Sequence, residues 1–109
     1  MTNEPQKKTR RKTLEEFLAA RPADAFSRYA LALECMNTGD TGAADAHFRK
    51  LLELNPEYIP AYLMHGQLLA RDSRPDEARQ VLTAGVAVAG KKGDAHARSE
   101  LEALLADLG

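Results

Sequence analysis

The sequence predicts an all-α fold of about six antiparallel helices, on three observations. The 109 residues include 19 alanines and 15 leucines, which favour helices, but only three valines and one isoleucine, which favour strands. Prolines and glycines divide the chain into segments of helical length joined by short turns. Within those segments, apolar residues recur every three or four positions, which is the helical period. A chain of this length is expected to form one domain.

The first predicted helix covers residues 13–21. Leu14, Phe17 and Leu18 are spaced i, i+3 and i+4, so they form one apolar face. Thr13 begins a Thr-x-x-Glu capping box, which satisfies backbone N–H groups at a helix start. A proline follows at position 22, and the helix is expected to end before it.

The second and third helices form the helix pair 23–56. Asp24 suits the start of the second helix, because the positive end of the helix dipole stabilises a carboxylate. Residues 37–40, Asn-Thr-Gly-Asp, form a turn in which Gly39 suits a left-handed backbone conformation. The third helix then runs to about residue 54, before Pro56.

The fourth and fifth helices form a second pair, 58–90, built in the same way. Pro60 and Pro75 suit the first turn of a helix, where the missing N–H is not needed. Asp-Ser-Arg at 72–74 separates the two helices, and two carboxylates follow Pro75 in the first turn of the fifth. The fifth helix is expected to end near Gly90.

The last predicted helix, 94–108, has the pattern of a capping helix. Asp94 is a favourable N-cap residue. Four leucines recur at helical spacing and are expected to pack inward, whereas the opposite face is polar. The inward positions are Leu101, Leu104, Leu105 and Leu108, and the polar ones are Arg98, Glu102 and Asp107.

A shift of 34 residues brings the two helix pairs into register. Ala44 then falls on Ala78, and Phe48 falls on Leu82. Small residues such as these alanines and Gly66 allow two helices to approach to about 8–10 Å. A 34-residue period is typical of helix-turn-helix repeats. The motif residues are Leu31, Ala32, Cys35, Ala44, Phe48 and Pro56 in the first unit and Tyr62, His65, Gly66, Leu69, Ala78 and Leu82 in the second.

With these motifs the chain resembles the tetratricopeptide repeat (TPR) family, particularly its short bacterial members. The resemblance implies a solenoid of two full repeats flanked by single helices. The N-terminal helix would be the second half of a missing earlier repeat, and the last helix would cap the C-terminal end. Three positions depart from the family pattern: Arg28 replaces an aromatic residue, His65 replaces a leucine and Gly90 replaces a proline.

Residues 1–12 differ from the rest of the chain in charge. They carry five basic side chains and one acidic one, a net charge of +4, whereas the other 97 residues carry 10 basic and 15 acidic ones. Because no apolar residue follows Met1, we expect a disordered basic tail. The tail could serve solubility alone or could contact nucleic-acid phosphates. A twin-arginine export signal is not expected, because Glu15 and Glu16 interrupt the apolar stretch that it needs.

The sequence contains no motif that predicts an enzyme. It has no glycine-rich phosphate loop, GxSxG or HExxH, and His47, His65 and His96 fall on three separate predicted helices. Cys35 occupies a core position of the repeat, where a buried, unreactive thiol is expected. We therefore predict no catalytic residue, metal or cofactor. No window of 18 apolar residues suggests a membrane span, and we expect a cytoplasmic protein that does not bind membranes.

The resemblance implies that the first helix of each repeat lines a concave groove that binds a peptide or helix of a partner protein. TPR domains that clamp a C-terminal carboxylate use lysine, asparagine and arginine there. Tyr29 and Leu33 take matching places here, so an apolar segment or amphipathic helix is the expected ligand. The predicted groove residues are Phe26, Tyr29, Leu33, Met36, Leu63, Met64, Gln67 and Arg71, with Ala97 and Arg98 from the capping helix.

The function predicted from this groove is that of a scaffold or adaptor for another protein. Two alternatives use the same apolar stripe: a homodimer formed through the groove face, or simple packing within the domain. Nucleic-acid contact through the basic tail is a further, weaker alternative.

Overall fold

A computed structural model describes residues 9–109, and the described chain is an all-α solenoid without strands. The predicted fold class is confirmed. Turns of a few residues join successive helices, so that neighbours in sequence pack antiparallel. The six helices are α1 (Arg10–Ala20), α2 (Ala25–Asn37), α3 (Thr41–Leu54), α4 (Ile59–Arg71), α5 (Pro75–Lys92) and α6 (Ala95–Leu108).

The helices form two helix pairs with one additional helix at each end. The pairs are α2 with α3 and α4 with α5, while α1 packs on α2, and α6 packs on both α5 and α4. The assembly is elongated, with extents of 56 × 28 × 20 Å. Each helix contacts its neighbours in the stack, as expected for a solenoid.

Helix α1 begins three residues earlier than predicted. It starts at Arg10, and the side chain of Thr9 caps it by accepting a hydrogen bond from the Lys12 N–H at 3.0 Å. Thr13 therefore lies inside the helix rather than at its start, and the predicted boundary of the basic tail at residue 12 is wrong. The rest of the tail prediction, residues 1–8, lies outside the described residues.

Two arginines from the predicted tail hold this first turn against the domain. The Arg11 guanidinium contacts the carboxylates of Asp40, at 2.8 Å, and Glu15, at 3.1 Å. Its hydrogen bond lowers the pKa of the Asp40 carboxyl. Arg10 lies 3.4 Å from Glu34 on α2. Contacts with residues far along the chain thus add to the local Thr9 cap in holding the first turn.

Helix α5 also differs from the prediction, because it continues past Gly90 to Lys92. Gly93 ends it, with a left-handed φ of 72°. At Gly90, the Arg98 guanidinium of α6 lies 3.3 Å from where a Cβ atom would be, so this glycine serves helix packing rather than termination.

Small residues set the approach of the paired helices. Ala32 on α2 and Ala44 on α3 are both fully buried and belong to the same core cluster. In the second pair a Cβ atom at Gly66 would overlap the side chain of Leu82, and Ala78 is also fully buried. The predicted role of these small residues in helix packing is confirmed.

Buried side chains form two core clusters along the stack. One centres on Phe48 and Leu31 and joins α1 through α4, and the other centres on Leu82 and Leu101 and joins α4 through α6. Partly buried leucines of α6 pack on the second cluster, so the predicted inward face of the capping helix is confirmed.

Candidate functional site

Helices α2 and α4, the first helices of the two pairs, lie side by side with the last helix, α6. The three helices enclose a cleft between them. Its volume is about 260 Å³. Leu101, which is 1% exposed, lies at its floor. The residues that line the α2–α4–α6 cleft are Tyr29, Ile59, Pro60, Leu63, Met64, Asp94, His96, Ala97, Glu100 and Leu101.

The cleft brings together part of the predicted groove. Tyr29 from α2 and Leu63 and Met64 from α4 line one common surface, and Ala97 adds the predicted contribution from the capping helix. Ile59 and Pro60, which were not among the predicted groove residues, line it as well. They belong to the first turn of α4, and the helical period alone does not show that α6 packs beside that turn.

Four other predicted groove residues line two separate depressions. Phe26 and Leu33 share one with Tyr29 and Arg10, and the Phe26 side chain is among the most exposed apolar residues at 70%. Met36 and Arg71 line another, near the C-terminal ends of α2 and α4. Gln67 is half-buried on α4, one turn beyond Leu63.

Tyr29 has a structural role beside its place in the cleft. Its ring contacts Phe48, with centroids 6.5 Å apart in a T-shaped arrangement, and Tyr58, with centroids 5.3 Å apart. Burial raises the pKa of the Tyr29 phenol. A Tyr29→Ala variant would therefore remove core packing together with cleft surface, so it is a poor probe of binding alone.

Charge is distributed unevenly around the cleft. Asp94 caps α6 by accepting a hydrogen bond from the Ala97 N–H at 3.0 Å, and Glu100 lies 3.4 Å from the exposed imidazole of His96. No lysine or arginine is among the lining residues of this cleft. The rim on the α6 side is therefore acidic.

The prediction that Arg98 lines the groove is wrong. Its guanidinium lies over Gly90 on the α5 side of α6 and contacts Glu102 at 3.4 Å. Arg98 follows Ala97 by one residue, a turn of about 100° around the helix, which directs it away from the cleft.

The structure also brings together titratable residues that lie far apart in the sequence. His65 on α4 is 2% exposed, and its Nε2 lies 2.6 Å from Oδ1 of Asp45 on α3. Burial lowers the pKa of His65, although the contact with Asp45 opposes that shift. The imidazole is therefore neutral at pH 7, with Nε2–H donating to the carboxylate. Its other nitrogen, Nδ1, is buried without a partner among the described residues.

Arginines and a second carboxylate extend this pair into a network between the two repeats. Arg49 on α3 contacts both Asp45, at 3.1 Å, and Glu77 on α5, at 2.7 Å. Arg74 contacts Glu77 at 2.6 Å. Burial would raise the pKa of Asp45, but hydrogen bonds from His65 and Arg49 outweigh it, and the pKa lies below its usual value.

The arrangement of this network fits a structural link between repeats better than a reactive site. The His65 ring stacks on Phe48, with centroids 5.4 Å apart, and is enclosed by the core. The one sequence signal for the pair was the departure of His65 from the leucine of the repeat pattern. Cys35 is fully buried, and burial raises the pKa of its thiol. Among residues 9–109, no three His, Cys, Asp or Glu side chains are grouped to hold a metal ion.

The fold has relatives of known structure. A tetratricopeptide repeat domain protein from Salinibacter ruber, solved in solution, is 34% identical, with a TM-score of 0.75 over 80% of this chain and 88% of that one. A protein from Bordetella parapertussis is 27% identical, with a TM-score of 0.81 over 94% of this chain and 89% of that one. The TPR2B domain of yeast Sti1, in a complex with pHsp70, has a TM-score of 0.84 over 90% of this chain and 78% of that one, but is 18% identical. This last likeness shows the fold alone.

Sequence relatives give the same result. The tetratricopeptide repeat family pattern matches residues 27–58. A TPR repeat-containing protein from Pseudomonas aeruginosa is 31% identical over 97 residues, covering 87% of this chain and 90% of that protein. No helix between residues 9 and 109 has the length and hydropathy of a membrane span. On its repeats, its helix pairing and these relatives, the chain belongs to the tetratricopeptide repeat family.

Proposed function

We propose that the protein is a scaffold or adaptor that binds an apolar segment of a partner protein in the α2–α4–α6 cleft. Tetratricopeptide repeats generally mediate protein–protein interactions and are typically non-enzymatic. The observation that carries the proposal for this chain is the cleft itself, in which Tyr29, Leu63 and Met64 converge with the small residue Ala97.

The size of the cleft supports a peptide side chain as its occupant. Sites for drug-sized ligands usually enclose roughly 300–1,000 Å³. A volume of about 260 Å³ lies just below that range and suits one or two anchoring side chains of a peptide or helix. Met64 supports the same conclusion, because methionine adapts its shape to varied apolar partners.

The cleft can be blocked without removing core side chains. Ala97 is partly buried and lines the cleft, whereas Ala103 is exposed on the same helix and does not. Substituting glutamine at either position changes helix propensity by a similar amount. We expect Ala97→Gln to weaken partner binding at least about tenfold, about 1.4 kcal/mol, and Ala103→Gln to leave it unchanged.

The test compares three baits: the wild type, Ala97→Gln and Ala103→Gln, each verified by circular dichroism and thermal unfolding. Each is used to capture proteins from a lysate of the organism that makes the chain, with mass spectrometry as the readout. Proteins held by the wild type and by Ala103→Gln, but lost from Ala97→Gln, would identify cleft-dependent partners. Identical lists from all three folded baits would contradict the proposal.

Self-association through the same face stays as the second candidate, because the exposed Phe26 side chain is an apolar surface that a second copy could cover. Sedimentation at increasing concentration tests it. A dimer that forms in the wild type and is lost in Phe26→Ser would favour self-association over partner binding.

The nucleic-acid alternative depends on the basic N-terminal residues. Arg10 and Arg11 already contact carboxylates of the domain, which leaves less free positive charge for phosphates. Binding to DNA or RNA that falls steeply with salt, and that disappears when residues 1–8 are deleted, would revive this alternative.

A further inference from the structure

We infer that the segment bound in the α2–α4–α6 cleft is basic, with a large apolar anchor side chain flanked by lysine or arginine. This inference rests on the proposed function and adds the charge of the partner to it. It follows from the combination of an apolar cleft with an acidic rim that has no lysine or arginine partner among the described residues.

The two rim carboxylates are without a strong cationic partner. Among residues 9–109, neither Asp94 nor Glu100 forms an ion pair with a lysine or arginine. Asp94 accepts a backbone hydrogen bond, and the basic group beside Glu100 is the imidazole of His96, which is 88% exposed. The nearby cation Lys92 is directed elsewhere and contacts Glu57 at 3.0 Å.

Several carboxylates at other contacts between helices are paired with arginine. Three such ion pairs are Glu34 with Arg10, Asp40 with Arg11, and Glu77 with Arg49. The rim of the cleft differs from these contacts, because its two carboxylates lie beside apolar surface and have no lysine or arginine partner among the described residues.

A basic partner satisfies both parts of the cleft. Its apolar anchor would contact Leu63, Met64 and Leu101, while its cations would meet the carboxylates at the rim. Complementary charge of this kind mainly selects the partner and fixes its register. An acidic segment would place like charges together, and the chain after residue 12, with 15 acidic and 10 basic side chains, would repel it at longer range as well.

The spacing of the rim predicts a spacing in the partner. Asp94 and Glu100 are six positions apart, which corresponds to about 9 Å along a helix axis. On a helical partner running along α6, cations near positions i and i+7 would match this separation. Apolar anchors at i+3 and i+4 would then lie between the two cations and face the cleft.

The test is a display library of helix-forming peptides selected on the full-length chain. Positions i+3 and i+4 vary among leucine, phenylalanine and alanine, and positions i and i+7 vary among lysine, serine and glutamate. We expect large apolar anchors with lysine on both sides. Fluorescence anisotropy on the selected peptide and its glutamate counterpart should show at least about fivefold tighter binding of the lysine form, as expected for two exposed ion pairs.

A charge-removing variant tests whether the rim is responsible. Asparagine caps helices as well as aspartate, so Asp94→Asn with Glu100→Gln should preserve α6. The lysine preference should fall below about twofold in this variant. The matched control, Glu102→Gln with Asp107→Asn, removes the same charge from the outer face of α6 and should keep the preference.

The possible failures are distinguishable. Three outcomes would overturn the inference but leave the cleft as a binding site. The selected peptides could have apolar anchors without a lysine preference, they could favour glutamate, or the lysine preference could survive loss of the rim carboxylates. Selection that is no stronger on the wild type than on the blocked Ala97→Gln variant would overturn the inference together with the proposed function.

Discussion

The two helix pairs use different residues at equivalent positions to reach the same architecture. In the second pair, Tyr62 packs over Gly85, where an added Cβ would lie 2.6 Å from the tyrosine Cβ. The equivalent positions in the first pair hold Arg28 and the fully buried Leu51. In the second repeat an aromatic residue on the first helix thus accompanies glycine on the second helix, whereas in the first repeat a charged residue accompanies a buried leucine.

The polar groups of Arg28 and Tyr62 both form a hydrogen bond to the carbonyl of a proline. The Arg28 guanidinium donates a hydrogen bond to the Pro22 carbonyl at 3.0 Å, and the Tyr62 hydroxyl donates to the Pro56 carbonyl at 2.5 Å. These two prolines are also related by 34 residues. The departure of Arg28 from the aromatic pattern therefore preserves the hydrogen bond and moves the apolar volume to another side chain.

We expect the largest change in stability when the second repeat receives the leucine that the first repeat has at the equivalent position. Gly85→Leu should destabilise the protein by about 3 kcal/mol, because the new side chain meets Tyr62 and Leu101 in a packed core. Urea unfolding followed by circular dichroism measures the effect.

The same substitution in a Tyr62→Ala background should cost less, because the alanine leaves room for the leucine. This double-mutant cycle should give a coupling of at least about 1 kcal/mol. If the two effects were additive, they would contradict the idea that the size of the side chain at position 62 limits the size allowed at position 85.

A second contrast concerns Leu31 and its equivalent, His65, both buried at the centre of their repeats. Because folding lowers the pKa of His65, the unfolded chain binds the proton more readily. The stability contributed by neutral His65 is present above the ordinary histidine pKa of about 6.5 and is lost as pH falls below it. One proton limits the slope to about 1.4 kcal/mol per pH unit.

The His65→Leu variant makes the second repeat like the first and should flatten stability between pH 7 and pH 5. The pKa of His47 is also lowered by burial, so a His47→Gln variant serves as the control for the remaining slope. Asp45 contributes at lower pH, because its lowered pKa gives stability above about pH 3.8 that acid removes. A slope from pH 7 to pH 5 that persists unchanged in His65→Leu would contradict this account.

The smallest effects are expected at the turns inside the two pairs. Gly39 has a φ of 85°, and the equivalent residue of the second pair, Ser73, has a φ of 59°. Left-handed backbone costs residues with a Cβ roughly 1 kcal/mol. Ser73→Gly should therefore stabilise the protein by about 0.5 kcal/mol, and Gly39→Ser should destabilise it by about 1 kcal/mol. Thermal unfolding of both variants checks the signs, and a destabilising Ser73→Gly would be the contrary result.

Much of the fold could be predicted from the sequence because its signals are local. Helix caps such as Asp24 and Asp94, prolines in first turns and the glycine at position 39 act within a few residues, and each functions as predicted. The 34-residue period adds the helix pairing, because it requires equivalent residues to have equivalent neighbours. The boundaries at Arg10 and Lys92 were missed, although Thr9 and Gly93 cap them locally, because the earlier Thr13 capping box and Gly90 are competing signals of the same kind.

The candidate site could be predicted only in outline. The resemblance to the repeat family placed Tyr29, Leu63 and Met64 along one groove, and the cleft contains all three. Spacing could not show that Phe26 and Met36 would lie in separate depressions, because that depends on the angles between helices. The same geometry directs Arg98 away from the cleft.

The helices, their pairing and the solenoid could all be predicted from the sequence, because helix propensity, capping and the 34-residue repeat act over short chain distances. The tertiary structure decided which side chains meet across 20 or more residues: Asp45 with His65, Arg49 with Glu77 and Arg11 with Asp40. It also decided that an acidic rim adjoins the apolar cleft. The physical reason is that helix packing, rather than helix formation, sets the distance between residues on different helices, and small residues such as Gly66 and Gly85 control that packing.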